Sequence, residues 1–154
     1  MSRISSRLSI CDTAALVALL CSLGGCGAPT SLSGLRANPY KVYSLEVPAD
    51  CETVYLRIVR RAQERYRHTD LATYQPGVAA KLAPDGQSAT LTLFNAGGIG
   101  LRYQLTADLA AADSNRTGIS LYCATKSSAQ EALLWQKWAY TPLHAAKPDP
   151  NEAQ

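Results

Sequence analysis

The chain has 154 residues, 47% of them hydrophobic, and a formal net charge of +3. That suffices for one domain with a real core, and the charge is too small to mark a nucleic-acid partner. With two histidines and no CxxC, HExxH, GxSxG or P-loop pattern, zinc, hydrolase and nucleotide chemistry have no motif to stand on, and no cofactor is expected.

Residues 1–12 carry Arg3 and Arg7, and the run from Thr13 to Leu23 is almost wholly apolar or small. Its length suits the hydrophobic region of a signal peptide and falls short of the ~20 residues a spanning helix needs. Leu23-Gly24-Gly25-Cys26 follows, with small residues where a peptidase cleft requires them. The segment resembles a bacterial lipoprotein signal peptide with its lipobox: Leu23 at −3, Gly24 and Gly25 at −2 and −1, and Cys26 as the modified cysteine.

The resemblance implies removal of residues 1–25, a diacylglyceryl group on the Cys26 thiol and an acyl chain on its new amino terminus. Cys11 and Cys21 leave with the signal. One chain binds a membrane marginally and two signals anchor stably, so Cys26 would be a durable anchor. Gly27 in place of Asp implies transport to the outer membrane, facing the periplasm. The alternatives are an ordinary secretory signal and an uncleaved anchor.

Cys51 and Cys123 then remain, and in an oxidising compartment two such thiols are read as a disulfide. The alternative is a pair of buried free thiols. No metal site is expected.

Residues 26–39, small, polar and glycine-bearing, are expected to form a flexible tether from lipidated Cys26. The domain is expected over 40–141. Tyr43, Leu45 and Val47 alternate with Ser44 and Glu46 as in a half-buried strand, which Pro48 ends. Asp50 is a credible N-cap for a helix over 51–67, with Glu52 in its first turn. Cys51, Val54, Tyr55, Ile58, Ala62 and Tyr66 share one face of it. Arg57, Arg60, Arg61 and Arg67 fall opposite, with Arg65 near the edge; Leu56 breaks the pattern.

Residues 78–83 suit a short strand, and Pro84-Asp85-Gly86-Gln87 a turn. Strands are expected at 89–94, 101–109 and 119–123, with turns at 95–100 and 113–116. Gly97-Gly98-Ile99-Gly100 joins two strands, so it reads as a hairpin turn, since phosphate loops lead into a helix. Ser128-Ala129-Gln130-Glu131 matches a capping box opening a second helix, with Leu134, Trp135 and Trp138 on one side. Residues 142–154 are expected to be a disordered tail.

The order strand, helix, four strands, helix makes the domain α+β: an antiparallel sheet of about five strands with two helices on one face. It looks like the helix-grip arrangement of several envelope lipoproteins and small lipid-binding domains, and the whole chain is similar in style to small proteobacterial envelope lipoproteins. These likenesses rest on element order.

The expected function is non-enzymatic. A membrane-anchored module would contact an envelope protein or an anionic lipid through Arg57, Arg60, Arg61 and Arg67, whose guanidiniums suit phosphate and carboxylate. A solvated helix face is the plainer account of the same residues. A second reading draws on the eight tyrosines and two tryptophans: an amphipathic groove between sheet and helices holding a lipid or small apolar ligand. A third, an envelope hydrolase around His68 and Asp70, has no motif behind it.

Overall fold

Alternating apolar residues build one sheet. The computed structural model describes residues 28–67, 75–98 and 100–143. Its strands are β1 (Lys41–Val47), β2 (Gln75–Leu82), β3 (Ser88–Gly97), β4 (Gly100–Asp113) and β5 (Arg116–Cys123). They form an antiparallel sheet in the order β1-β5-β4-β3-β2. Strands β2 to β5 are a meander, and β1 returns to pair with β5, Val47 opposite Thr117 and Lys41 opposite Cys123. The upper end of the sheet holds Val47, Leu82, Ser88, Asp113 and Arg116. The lower end holds Lys41, Gln75, Gly97, Gly100 and Cys123.

The turns use the residues their geometry demands. Gly86 and Gly100 have φ of 68° and 94°, where a Cβ is strained. At 113–116 the Asp113 carboxylate accepts from Asn115 N at 2.9 Å and Arg116 Nε at 2.6 Å, which holds that carboxyl below its ordinary range.

Two long helices, α2 (Cys51–Tyr66) and α3 (Lys126–Tyr140), cover one face of the sheet. Asp50 caps α2 as expected, accepting from Thr53 N at 2.8 Å. Its apolar stripe buries Cys51, Val54, Ile58 and Ala62, and Val59 besides; Leu56 is exposed. The second helix begins earlier than its sequence suggests. Thr125 is its N-cap, and Ser128 is the reciprocal member of the capping box. Thr125 Oγ1 accepts from Ser128 N at 3.2 Å, while Ser128 Oγ accepts from Thr125 N at 2.8 Å. A hydroxyl at the third helical position thus does what Glu or Gln does in the commoner box.

The core lies between this face and the helices. Leu91 and Leu93 from β3, Leu105, Ala107 and Leu109 from β4, and Ile119 and Leu121 from β5 meet Val54, Ile58 and Trp135. Each fully buried aliphatic side chain contributes roughly 1.5–3 kcal/mol. Trp135 is wholly buried and its Nε1 has no hydrogen-bond partner.

The other face corrects, over 28–39, the expectation of a flexible segment at 26–39. Residues 32–37 form a short helix, α1 (Leu32–Ala37), capped by Ser31 Oγ on Gly34 N at 3.0 Å. Leu35 is fully buried. Arg36 grips Asp108 of β4 with two bonds, Nε to Oδ2 at 2.7 Å and Nη2 to Oδ1 at 2.6 Å. Asp108 also accepts from Thr90 Oγ1 at 3.0 Å. The sheet is therefore covered by two helices on one face and by a third, short one on the other. Upstream, Pro29 O accepts from Tyr103 N at 3.0 Å and Ala28 O from Arg102 Nη1 at 3.3 Å, so the chain is bound to β4 from its first described residues.

Cys51 and Cys123 are free, buried thiols, which corrects the expected bridge. Topology gives the reason. Thr117 Oγ1 donates to Ala49 O at 2.7 Å, fixing the start of α2 at the upper end of β5. Cys123 closes β5 at the lower end, six residues and about 20 Å away at strand rise. A disulfide needs Cα atoms within about 7 Å.

Candidate functional site

The arginine face of α2 divides into two pairs. Arg57 Nη1 donates to Ala139 O at 3.0 Å. Arg61 donates through Nη1 to Trp138 O at 2.9 Å and Thr141 O at 2.8 Å, and through Nη2 to Pro142 O at 2.9 Å. The last carbonyls of a helix have no partners within it, and a cation there is favoured by the helix dipole. Arg57 and Arg61 supply both needs for α3. The same contacts pin Thr141 and Pro142, the latter placed by sequence in a disordered tail.

Arg60 and Arg67 are exposed and make no ion pair with another described residue. With Leu56 and Gln63 they form an exposed stripe at helical spacing: 56, 60, 63, 67. The four predicted residues thus do not act together; the structure leaves half of them available. Sequence periodicity places a residue on a helix face, but cannot say that a second helix end lies against that face.

Arg65 turns inward to the helix pair. Its Nη2 donates to Glu131 Oε1 at 3.1 Å, and Tyr66 OH donates to Glu131 Oε2 at 2.6 Å. Burial, then the Glu131 carboxylate, pushes the Tyr66 phenol up to about 12. This trio locks α2 to α3 near the lower end. Burial also pushes the Cys123 thiol up to about 11 and raises Cys51. Thiolate is the reactive form, so both shifts run against activation.

Charge is unevenly distributed along the sheet. The lower end carries Lys41, Arg102 and Lys126, with Arg65 and Arg67 at the nearby end of α2; its acids among the described residues are Glu64 and Glu131, and Glu131 is engaged. The upper end carries Glu46, Asp50, Glu52, Asp85 and Asp113. Arg116 there bonds Asp113 and lies 3.8 Å from Glu46, with Lys81 and Lys137 as further cations and Arg57 and Arg61 at the α3 terminus nearby. The lower end also exposes Tyr40 (59%) and Leu101 (46%). A cleft of about 650 Å³ opens there between Pro29, Ser31, Asn38, Tyr40, Thr125 and Lys126. No sequence motif marked this cluster, because its members come from four separate segments.

On the outer face, clefts of about 390 and 580 Å³ flank Asp108. The second is lined by small groups from three strands, among them Ser44, Ala110, Gly118 and Ser120. Asp108 interrupts a mostly apolar strand, and Arg36 is its partly buried partner.

The space between sheet and helices, where a ligand groove was expected on the second reading, is filled by Trp135, Ile58, Leu91, Leu105 and Leu121. Among the described residues no helix is long and apolar enough to cross a membrane, and no group of three His, Cys, Asp or Glu is placed to hold a metal ion. Cys26, His68, Asp70 and the segments 1–25 and 144–154 lie outside the described residues. No family model and no curated protein matches this chain.

Proposed function

We propose that this is a lipid-anchored outer-membrane protein facing the periplasm, whose domain works as an envelope interaction module and carries out no chemistry of its own. The observation that carries the reading is the Leu23-Gly24-Gly25-Cys26 sequence three residues ahead of Pro29, where the chain joins the fold. A lipidation site so close to a folded domain suits a protein held at a membrane. The protonated, buried thiols support a non-catalytic role.

The contact surface is the α2 stripe of Leu56, Arg60, Gln63 and Arg67, which combines an apolar side chain at one end with two guanidiniums. A rim of this kind gives specificity and fast association with an acidic protein face. Arg57 and Arg61 are excluded from it because they hold α3. The filled interior weighs against the alternative of a ligand carried between sheet and helices.

The test is in-envelope crosslinking and pull-down with three chains: wild type, Cys26→Ala, and Arg60→Glu with Arg67→Glu. The expected result is a protein partner captured by wild type and lost in both variants, with the double variant still folded and lipidated. Capture unchanged by the charge reversal would remove the stripe from the proposal. An unmodified Cys26 would remove the anchor.

A further inference from the structure

We propose that the lower end of the sheet rests on an anionic lipid surface, with Tyr40 and Leu101 at headgroup level and Lys41, Arg102 and Lys126 facing phosphates. This orientation rests on the anchoring reading above and adds to it a face of the domain.

Three observations converge. The first is the length of the connection. A free tether over residues 26–39 would have a root-mean-square reach of about 20 Å and would let the domain tumble. Instead Pro29 and Ala28 are bonded to β4, and α1 is clamped by Arg36 on Asp108. Only three residue steps join Cys26 to Pro29, at most about 10 Å of extended chain. An acylated Cys26 therefore brings the lower end to the bilayer. The upper end lies about 40 Å away along the fourteen residues of β4.

The second is charge. The end nearest the anchor carries Lys41, Arg102 and Lys126, with Arg65 and Arg67 beside it, against Glu64 and the Arg65-paired Glu131 among the described residues. The far end is close to balanced: Glu46, Asp50, Glu52, Asp85 and Asp113 face Lys81, Arg116 and Lys137, with Arg57 and Arg61 bonded to the α3 terminus there. That polarity orients the molecule in the field of an anionic leaflet, with its basic end inward.

The third is the kind of side chain exposed. Tyr40 and Leu101 are among the large hydrophobic residues that the surface leaves open, and both belong to the lower end. Tyrosine is favoured where an apolar body meets polar headgroups. The lysine stems lie along apolar surface while their ammoniums reach phosphate; Lys41 already sits 4.7 Å over the Tyr43 ring.

The experiment uses the full chain, processed and lipidated by its host, reconstituted in vesicles of phosphatidylcholine with phosphatidylglycerol. The Cys26 peptide is first examined by mass spectrometry. A fluorophore is then placed at Tyr40→Cys, at Leu101→Cys as a second lower-end position, or at Ser114→Cys in the upper turn. Cys51 and Cys123 are buried and leave the added thiol as the labelling site. Quenching by spin-labelled lipid is expected at 40 and 101 and not at 114.

Lys41→Gln and Lys126→Gln should each weaken electrostatic adhesion about fivefold, so quenching at 40 should fall in the double variant and in high salt. A lipidated chain with equal quenching at 40, 101 and 114, or none at 40 and 101, overturns the orientation alone. An unmodified Cys26 overturns the anchor and the orientation together. Quenching at 40 and 101 that ignores salt and both lysines overturns the role of anionic lipid.

Discussion

Arg61→Ala is the sharpest test of how the helices are held. The side chain donates to three carbonyls at the end of α3, at 2.8 to 2.9 Å. Hydrogen bonds to a charged group contribute about 1.5–3 kcal/mol where well shielded. Arg61 is half-buried and the freed carbonyls regain some water, so about 2 kcal/mol is expected for the set, with the loss of a cation at a helix C-terminus included. Chemical denaturation in urea should show the midpoint falling by about 1 M at an unchanged slope, and thermal unfolding a drop of about 10 °C. Arg61→Lys should recover part of the loss, since an ammonium is a point charge without the planar fork. Arg60→Ala, one residue away and exposed, should stay within about 0.5 kcal/mol of wild type. Equal effects of Arg61→Ala and Arg60→Ala would refute the reasoning and restore all four arginines to the surface.

Three other outcomes are expected. Dithiothreitol should leave the unfolding midpoint unchanged, and a thiol reagent should reach Cys51 and Cys123 only on unfolding; a loss near 4 kcal/mol on reduction would mean a bridge closing a long loop. Because the folded-state value of Tyr66 is raised from 10.0 to about 12, its contribution is fully present below pH 10 and is lost as pH rises toward 12. The fall in stability between those values should be shallower in Tyr66→Phe, and identical pH profiles for the two chains would contradict this. Gly77→Ala should cost about 1–3 kcal/mol, since its Cβ would lie 2.5 Å from Phe94 Cζ. The same change in a Phe94→Leu background should cost less, and additive losses would show that the ring is not the obstacle.

Short-range signals marked most of the elements, and non-local contacts decided their use. Asp50 and the apolar stripe of α2 were legible because capping and helical periodicity are short-range. The meander was legible from alternation punctuated by Gly, Pro, Asp and Asn. Helix α1 was not, because six residues that include a serine and a glycine carry almost no intrinsic helix preference. It forms because Leu35 has a surface to bury on and Arg36 has Asp108, both supplied by distant strands. The roles of Arg57 and Arg61 were hidden for the same reason: their acceptors lie some eighty residues downstream. The bridge expected between Cys51 and Cys123 failed on a simple length, since a strand separates an element that begins at one end from one that finishes at the other. For the site, the basic lower end was illegible because it is assembled from the N-terminal segment, β1, the start of β4 and the start of α3.

An open five-stranded sheet has two outer strands, β1 and β2, and each offers unpaired backbone groups to any neighbour. For molecules concentrated in a plane, where encounters are frequent and orientations shared, that is a route to polymers. β2 carries Pro76, which has no N–H to donate, and an exposed Lys81; β1 is short, begins with Lys41 and is bracketed by Pro39 and Pro48. Such residues blunt edge-to-edge pairing at some cost to the regularity of the strands. Side-by-side joining of copies through either outer strand is thereby disfavoured.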